Sequence, residues 1–159
     1  LGVTGLMEVG DSFSEFGFSH EDLVMNVAGA ALGYLFLRND ALSRRVDFRV
    51  EYSFDGGRDY KPDFTTDYER LKYLFAFKAD GFESINNRYL NYLELHLGYY
   101  TRGYADYVPD SGVDRRERNL YAGIGINVGK LIAPLWKTRT FEYLQLPYTY
   151  ISVEKNLND

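Results

Sequence analysis

The chain contains no cysteine, which removes disulfides, thiolate metal sites and cysteine nucleophiles from consideration and fits an oxidising envelope compartment. Histidine is scarce as well. His20 and His96 are the only two, too few for a His-rich metal centre, so neither a metal nor a cofactor is expected. Basic residues are outnumbered: 18 Lys and Arg stand against 23 Asp and Glu, a net charge of −5. A general nucleic-acid binder needs the opposite balance, so no nucleic-acid partner is expected. A mean hydropathy of −0.35 excludes a polytopic helical membrane protein, and a 45% hydrophobic content excludes a disordered acidic tail. The opening Leu1-Gly-Val-Thr-Gly-Leu-Met7 has no initiator Met and no charged n-region with cleavage site. It reads as the end of an apolar segment, and the expectation is a chain lacking an N-terminal portion.

What the sequence has in excess is aromatic: 15 Tyr, 11 Phe and 1 Trp amount to 17% of its 159 residues. That length suits a single domain over 1–159, and its character changes near residue 40. Ahead of that point, Ser19-His-Glu-Asp22 has capping-box spacing and precedes a run from Leu23 to Leu37 that is apolar except for Asn26. As a helix this run is about 22 Å long, short of the ~30 Å hydrocarbon core, which favours a core helix over a membrane span. Residues 1–40 are therefore a helical segment. Asp22, Asn26, Gly29 and Gly33 recur at helical spacing and share one face. Gly29-Ala-Ala-Leu-Gly33 is a GxxxG match that suits tight packing or, with Asp22 and Asn26, a polar notch for a ligand or partner.

From residue 44 to 154 the period is two. Val46, Phe48, Val50, Tyr52 and Phe54 alternate with Asp47, Arg49, Glu51 and Ser53, the pattern of a half-buried strand. Tyr73, Phe75, Phe77 and Ala79 repeat it, as do Leu93, Leu95, Leu97 and Tyr99, then Leu120, Ala122, Ile124, Ile126 and Val128. A further strand is expected over Tyr148–Glu154, and a short helix or amphipathic segment over Lys130–Gln145. Turn-rich connections imply antiparallel pairing. The expected fold is α+β, mainly antiparallel β: a curved sheet or partial barrel of about five strands packed with an N-terminal apolar helix. One face of that sheet is greasy along every strand and must be covered by the helix or by lipid. Outer-membrane strands of about 9–11 residues show the same alternation with aromatic ends.

Glu8-Val-Gly-Asp11, Gly17-Phe-Ser-His-Glu-Asp22, Asn26, Gly29 and Gly33 resemble a family of YfiM-like predicted periplasmic lipoproteins of unknown function. The same residues look like the end of VanZ-like membrane domains. Val46–Tyr52 and Tyr92–Gly103 are similar to the β portion of longer family members. The resemblance implies a Gram-negative envelope address and no established chemistry; with the strand pattern, the expected location is the outer membrane or the periplasmic face of the envelope.

Site candidates are few. His96 shares a strand face with Glu94 and can meet Arg49, Glu51 or Lys78, depending on register; His20 lies beside Glu21 and Asp22. Either pair is a conceivable base and orienter for a lipid hydrolase, although no G-x-S-x-G elbow is present; the plainer expectation is a hydrogen-bonded residue on the polar face. Asp55, Asp59, Asp63 and Asp67 do not fit a calcium loop. Gly123-Ile-Gly125 lies within a strand pattern, where glycine permits curvature or the close approach of a ring. Arg115-Arg116-Glu117-Arg118 can touch anionic head groups or simply decorate a loop. The function expected is a non-enzymatic, membrane-associated envelope scaffold or lipid- or partner-binding module. The alternatives are a histidine-dependent lipid hydrolase and an accessory subunit of a larger outer-membrane complex, and membrane lipid or an envelope protein is the expected partner.

Overall fold

The computed structural model describes residues 20–53, 68–104, 115–136 and 138–158. Ser19 and the four spaced aspartates of the 55–67 stretch lie outside them. The chain divides into two compact units, Leu1–Ser43 and Arg44–Asp159.

Helix α1 spans His20–Arg38, a little beyond both ends of the apolar run. No helix among the described residues is long and apolar enough to cross a membrane. The polar Arg38-Asn-Asp40 stretch ends α1 but also starts a second helix, α2 (Asp40–Arg45). Asn39 makes the junction. Its N–H still donates to the Leu35 carbonyl at 3.0 Å, while its side-chain oxygen accepts from the Leu42 N–H at 3.0 Å, satisfying a donor that a helix start leaves free. Asp40 at the start of α2 and Arg44 and Arg45 at its end complement the helix dipole.

Six strands follow among the described residues: β1 (Val46–Tyr52), β2 (Leu71–Lys78), β3 (Leu93–Arg102), β4 (Glu117–Ile126), β5 (Leu144–Gln145) and β6 (Tyr150–Asn156). Their order in the sheet is β5-β1-β2-β3-β4-β6. The β1–β2, β2–β3, β3–β4 and β4–β6 ladders are antiparallel. The two-residue β5 pairs in parallel with Val50 and Glu51 of β1, so the sheet is mixed and has six strands rather than about five. The extra strand falls in the Lys130–Gln145 stretch, which otherwise holds the end of a short helix, α3 (Val128–Ile132), capped by the Asn127 side chain.

The sheet is bent hard. Between β5 and β6 lie five interstrand steps, about 24 Å if flat, yet Gln145 and Tyr150 are joined by a stretch of chain that reaches at most about 17 Å. Side chains report the same bend. Lys72 Nζ on β2 comes within 3.4 Å of the Tyr150 hydroxyl on β6, although β3 and β4 lie between them. The face on which these residues meet is the inner one.

Register sorts the two faces cleanly. Phe48, Phe75, Leu97, Ala122 and Val153 form one outward row, and Val46, Phe77, Leu95, Ile124 and Ile151 form the next. The inner face carries Asp47, Arg49, Glu51, Glu94, His96, Tyr100, Asn119 and Tyr121, all buried. Except for Val46, Tyr52 and Leu71 near the strand ends, the outward apolar residues are exposed or half-buried. Ile124 is 62% and Ile151 85% exposed, against 3% for Arg49 and 0% for His96. The period-two alternation is present along the strands, with the polar side buried and the greasy side outermost.

Candidate functional site: a buried charged core beneath an apolar face

The inner face is built around Arg49. Its Nη1 donates to Glu94 Oε2 at 2.7 Å and to Gln145 Oε1 at 3.0 Å. Its Nη2 donates to Glu94 Oε1 and to Asp47 Oδ2, both at 2.7 Å. The two parallel bonds to Glu94 are the fork geometry in which a guanidinium binds a carboxylate most strongly. Asp47 also accepts from Lys78 Nζ at 2.6 Å, and Glu94 Oε2 lies 3.2 Å from His96 Nε2. Two carboxylates thus meet two basic side chains with the imidazole at the end, so the buried charges are matched, as burial requires. Burial pulls the Arg49 guanidinium down, but Glu94 and Asp47 more than offset it and hold it above its ordinary value. Burial also pushes the Glu94 carboxyl up; hydrogen bonds from His96 and Arg49 win, and it sits below the usual carboxylate range.

Beside this chain lies a second cluster. Lys72 Nζ sits 4.7 Å from the ring centre of Tyr100, 5.4 Å from that of Tyr121 and 5.9 Å from that of Tyr150, within cation–π range of all three. Glu51 and Glu154 approach the same ammonium at 4.0 and 3.8 Å. The Tyr100 hydroxyl donates to Glu154 at 2.7 Å, and burial followed by that bond pushes its ionisation up to about 12. Burial raises Tyr121 and Tyr150 further, with the Glu51 charge adding to it. Burial likewise raises Glu51 itself, against the pull of Tyr150 and Lys72.

Glycines make room for these rings. A Cβ on Gly98 would strike the Tyr121 ring, and one on Gly125 the His96 ring. The close approach of a ring expected for the Gly123-Ile-Gly125 segment is present at Gly125; at Gly123 the close neighbour is instead the Ile151 backbone.

Of the residues that the sequence points to, Glu94 and His96 are brought together and sealed, with Lys78 and Arg49 as neighbours through Asp47 and Glu94. Among the described residues His96 Nδ1 has no hydrogen-bond partner and Nε2 faces Glu94, so neither ring nitrogen holds a described hydroxyl. Asp22, Asn26, Gly29 and Gly33 lie within the single helix α1 and so share a face; the backbone of His20 opens that helix. Apart from the adjacent residues and the helix's own backbone, no described atom lies within 4 Å of a Cβ built on Gly29 or Gly33. No group of three metal-ligating side chains occurs among the described residues. Gln145 and Tyr150 carry no signal in the sequence. Each owes its place to the turn that carries the chain from one sheet edge to the other, and neither has a local motif.

The outer face is the chemical opposite. An apolar depression of about 630 Å³ opens over Ala122, walled by Phe48, Phe75, Leu97, Leu120 and Val153. Beyond Leu120 a second depression of about 520 Å³ is lined by Tyr104, Arg116, Arg118 and Asn158.

Compared with known proteins, residues 1–38 match the family described as Predicted periplasmic lipoprotein (DUF2279). The match accords with the YfiM-like resemblance and gives the periplasmic side of the envelope as the family's address; it carries nothing about VanZ-like domains. No curated protein and no solved structure matches the chain.

Proposed function

We propose that this chain is a non-enzymatic, membrane-associated protein of the Gram-negative envelope, whose β unit is a partial barrel presenting its apolar face to outer-membrane lipid. The observation that carries this reading is the inverted polarity of the sheet. A water-facing sheet hides its Val, Leu, Ile and Phe positions and wets its charges, whereas here Arg49, Glu94 and His96 are sealed and Ile124, Ile151 and Val153 are outermost. Hydrocarbon is the surrounding in which that arrangement has the lower free energy. Aromatic residues near the two ends of the strands support it. Tyr73 and Tyr99 are paired toward one end, and Tyr92 precedes β3 at the other, as in the interfacial girdles of membrane sheets. From Leu93 to Tyr99 the outward face of β3 runs about 20 Å, against a belt of about 25 Å in outer-membrane barrels.

A second reading draws on one observation. Among the described residues strand β6 pairs only with β4, and an unpaired edge is costly in hydrocarbon and inviting to another strand. An envelope partner adding a strand there would make this chain the accessory subunit of a larger complex. The hydrolase alternative gains no such support at His96, which is engaged with Glu94 and buried; the side chains of the other pair, His20 and Asp22, lie outside the described ones.

The test is fractionation of the full chain from envelope membranes. It is expected to co-sediment with the outer membrane and to enter solution only with detergent. Recovery as a water-soluble monomer without affinity for lipid or detergent would reject the membrane reading, and a stable co-purifying protein would favour the subunit reading.

A further inference from the structure

The two depressions are linked along one strand, apolar at one position and polar two residues away. Leu120 walls the apolar one and Arg118 the polar one. These residues are two apart on β4, so both point outward, about 7 Å from each other. Lys155 of β6 stands opposite Leu120 and lines the apolar depression. The Leu157 N–H bonds the Arg118 carbonyl at 2.7 Å, which makes Lys155 and Arg118 diagonal neighbours on the same face. Glu154 borders the same depression, but its carboxylate turns to the inner face, where it accepts from the Tyr100 hydroxyl at 2.7 Å, and Glu117 alternates to that face as well. On a chain of net charge −5, this outer corner is therefore locally cationic.

The polar depression is a built one. Arg118 Nε donates to Asn158 Oδ1 at 3.0 Å, the Asn158 amide donates to the Arg116 carbonyl, and the Arg116 guanidinium lies 5.8 Å from the Tyr104 ring centre. The apolar depression exists because Ala122 is the small member of its row, set between Leu97 and Val153.

From this juxtaposition we propose that the outer corner binds a phospholipid with an anionic headgroup. One acyl chain lies in the depression over Ala122, and the phosphate is held by Arg118 and Lys155. The inference rests on the reading of this face as lipid-facing and goes beyond it, since a general greasy surface would not discriminate between headgroups.

The experiment compares binding of the purified full chain to vesicles of pure phosphatidylcholine and to vesicles containing phosphatidylglycerol. A preference for phosphatidylglycerol of about tenfold or more is expected, since two cations near an anionic surface each contribute several-fold. The exposed double variant Arg118→Gln with Lys155→Gln is expected to lose that preference while keeping its affinity for phosphatidylcholine. Ala122→Leu, which fills the depression and leaves every charge in place, is expected to weaken binding to phosphatidylglycerol vesicles several-fold. Circular dichroism of each variant checks that the sheet is intact. Equal binding to both vesicles, or a preference that survives the double substitution, overturns the site and leaves the membrane reading standing. Failure to bind either vesicle overturns both.

Discussion

At the scale of single residues, Arg49 is the group whose removal should cost most. It bonds two buried carboxylates and an amide at once. Truncation strands the carboxylates, and breaking a buried pair in this way costs about 3–5 kcal/mol. Arg49→Met is expected to lower the unfolding free energy, measured by chemical denaturation, by that amount. Arg49→Lys should recover only part of it, because an ammonium cannot reproduce the fork on Glu94. The two inner glutamates respond to pH in opposite directions. Glu94 is held below its unfolded value, so its stabilisation is present above the ordinary carboxylate range and is lost as pH falls through the folded-state value. Glu51 is raised by burial; what it contributes is present in acid and is lost as pH rises through its folded-state value. Glu51→Gln should therefore raise the melting temperature at neutral pH, with the gain shrinking toward acid. A variant that melts lower than the parent at neutral pH would contradict the raised ionisation.

At the scale of elements, glycines on the sheet and on the helix should behave oppositely under the same substitution. Gly125→Ala drives a methyl into the His96 ring, which Glu94 and Tyr150 hold in place. Overpacking of this kind costs about 1–3 kcal/mol. Gly29→Ala and Gly33→Ala meet no described atom outside the helix's own backbone within 4 Å and should stabilise α1 by up to about 1 kcal/mol each through helix propensity. A loss at Gly29 or Gly33, read by chemical denaturation, would instead show that a partner uses that face. The strands themselves are legible in the sequence, because sustained alternation over seven to ten residues matches a strand and misses the helical period. Their ends shift by a few residues: β4 stops at Ile126 and Val128 opens α3. Two elements are not legible. Helix α2 begins where three polar residues read as a stop, since Asn39 can cap a new helix as readily as end an old one. Strand β5 has two residues, too few to show any period, and exists because β1 offers an unpaired edge to the Tyr143–Gln145 backbone.

At the scale of the whole β unit, the sequence could say that one face is apolar but not which face is outermost, because period two is identical in a soluble sheet and in a membrane one. What decides it is long-range: the bend that brings Lys72 to Tyr150 and Arg49 to Glu94 places the charged side inside. Glu94 beside His96 is legible as a shared face, whereas Gln145 and the tyrosines around Lys72 become neighbours only through that bend. On the proposed lipid-facing reading, a charge on the outer belt should consequently spare the fold and harm membrane residence. Leu97→Lys is expected to destabilise the membrane-inserted form by about 2–4 kcal/mol, seen as release into the soluble fraction, with little change in the circular dichroism of detergent-bound protein.

The outward rows of Leu, Ile and Val also bear on calorimetry. A water-soluble domain absorbs extra heat capacity on melting, about 12–15 cal/mol/K per residue, because its hidden hydrocarbon becomes hydrated. Here much of the hydrocarbon lies on the perimeter, where a micelle would wrap it before and after the transition, and what opens up is a nest of ions and phenols whose hydration lowers heat capacity. Scanned in detergent, this sheet should melt with a far flatter stability curve than its size would suggest.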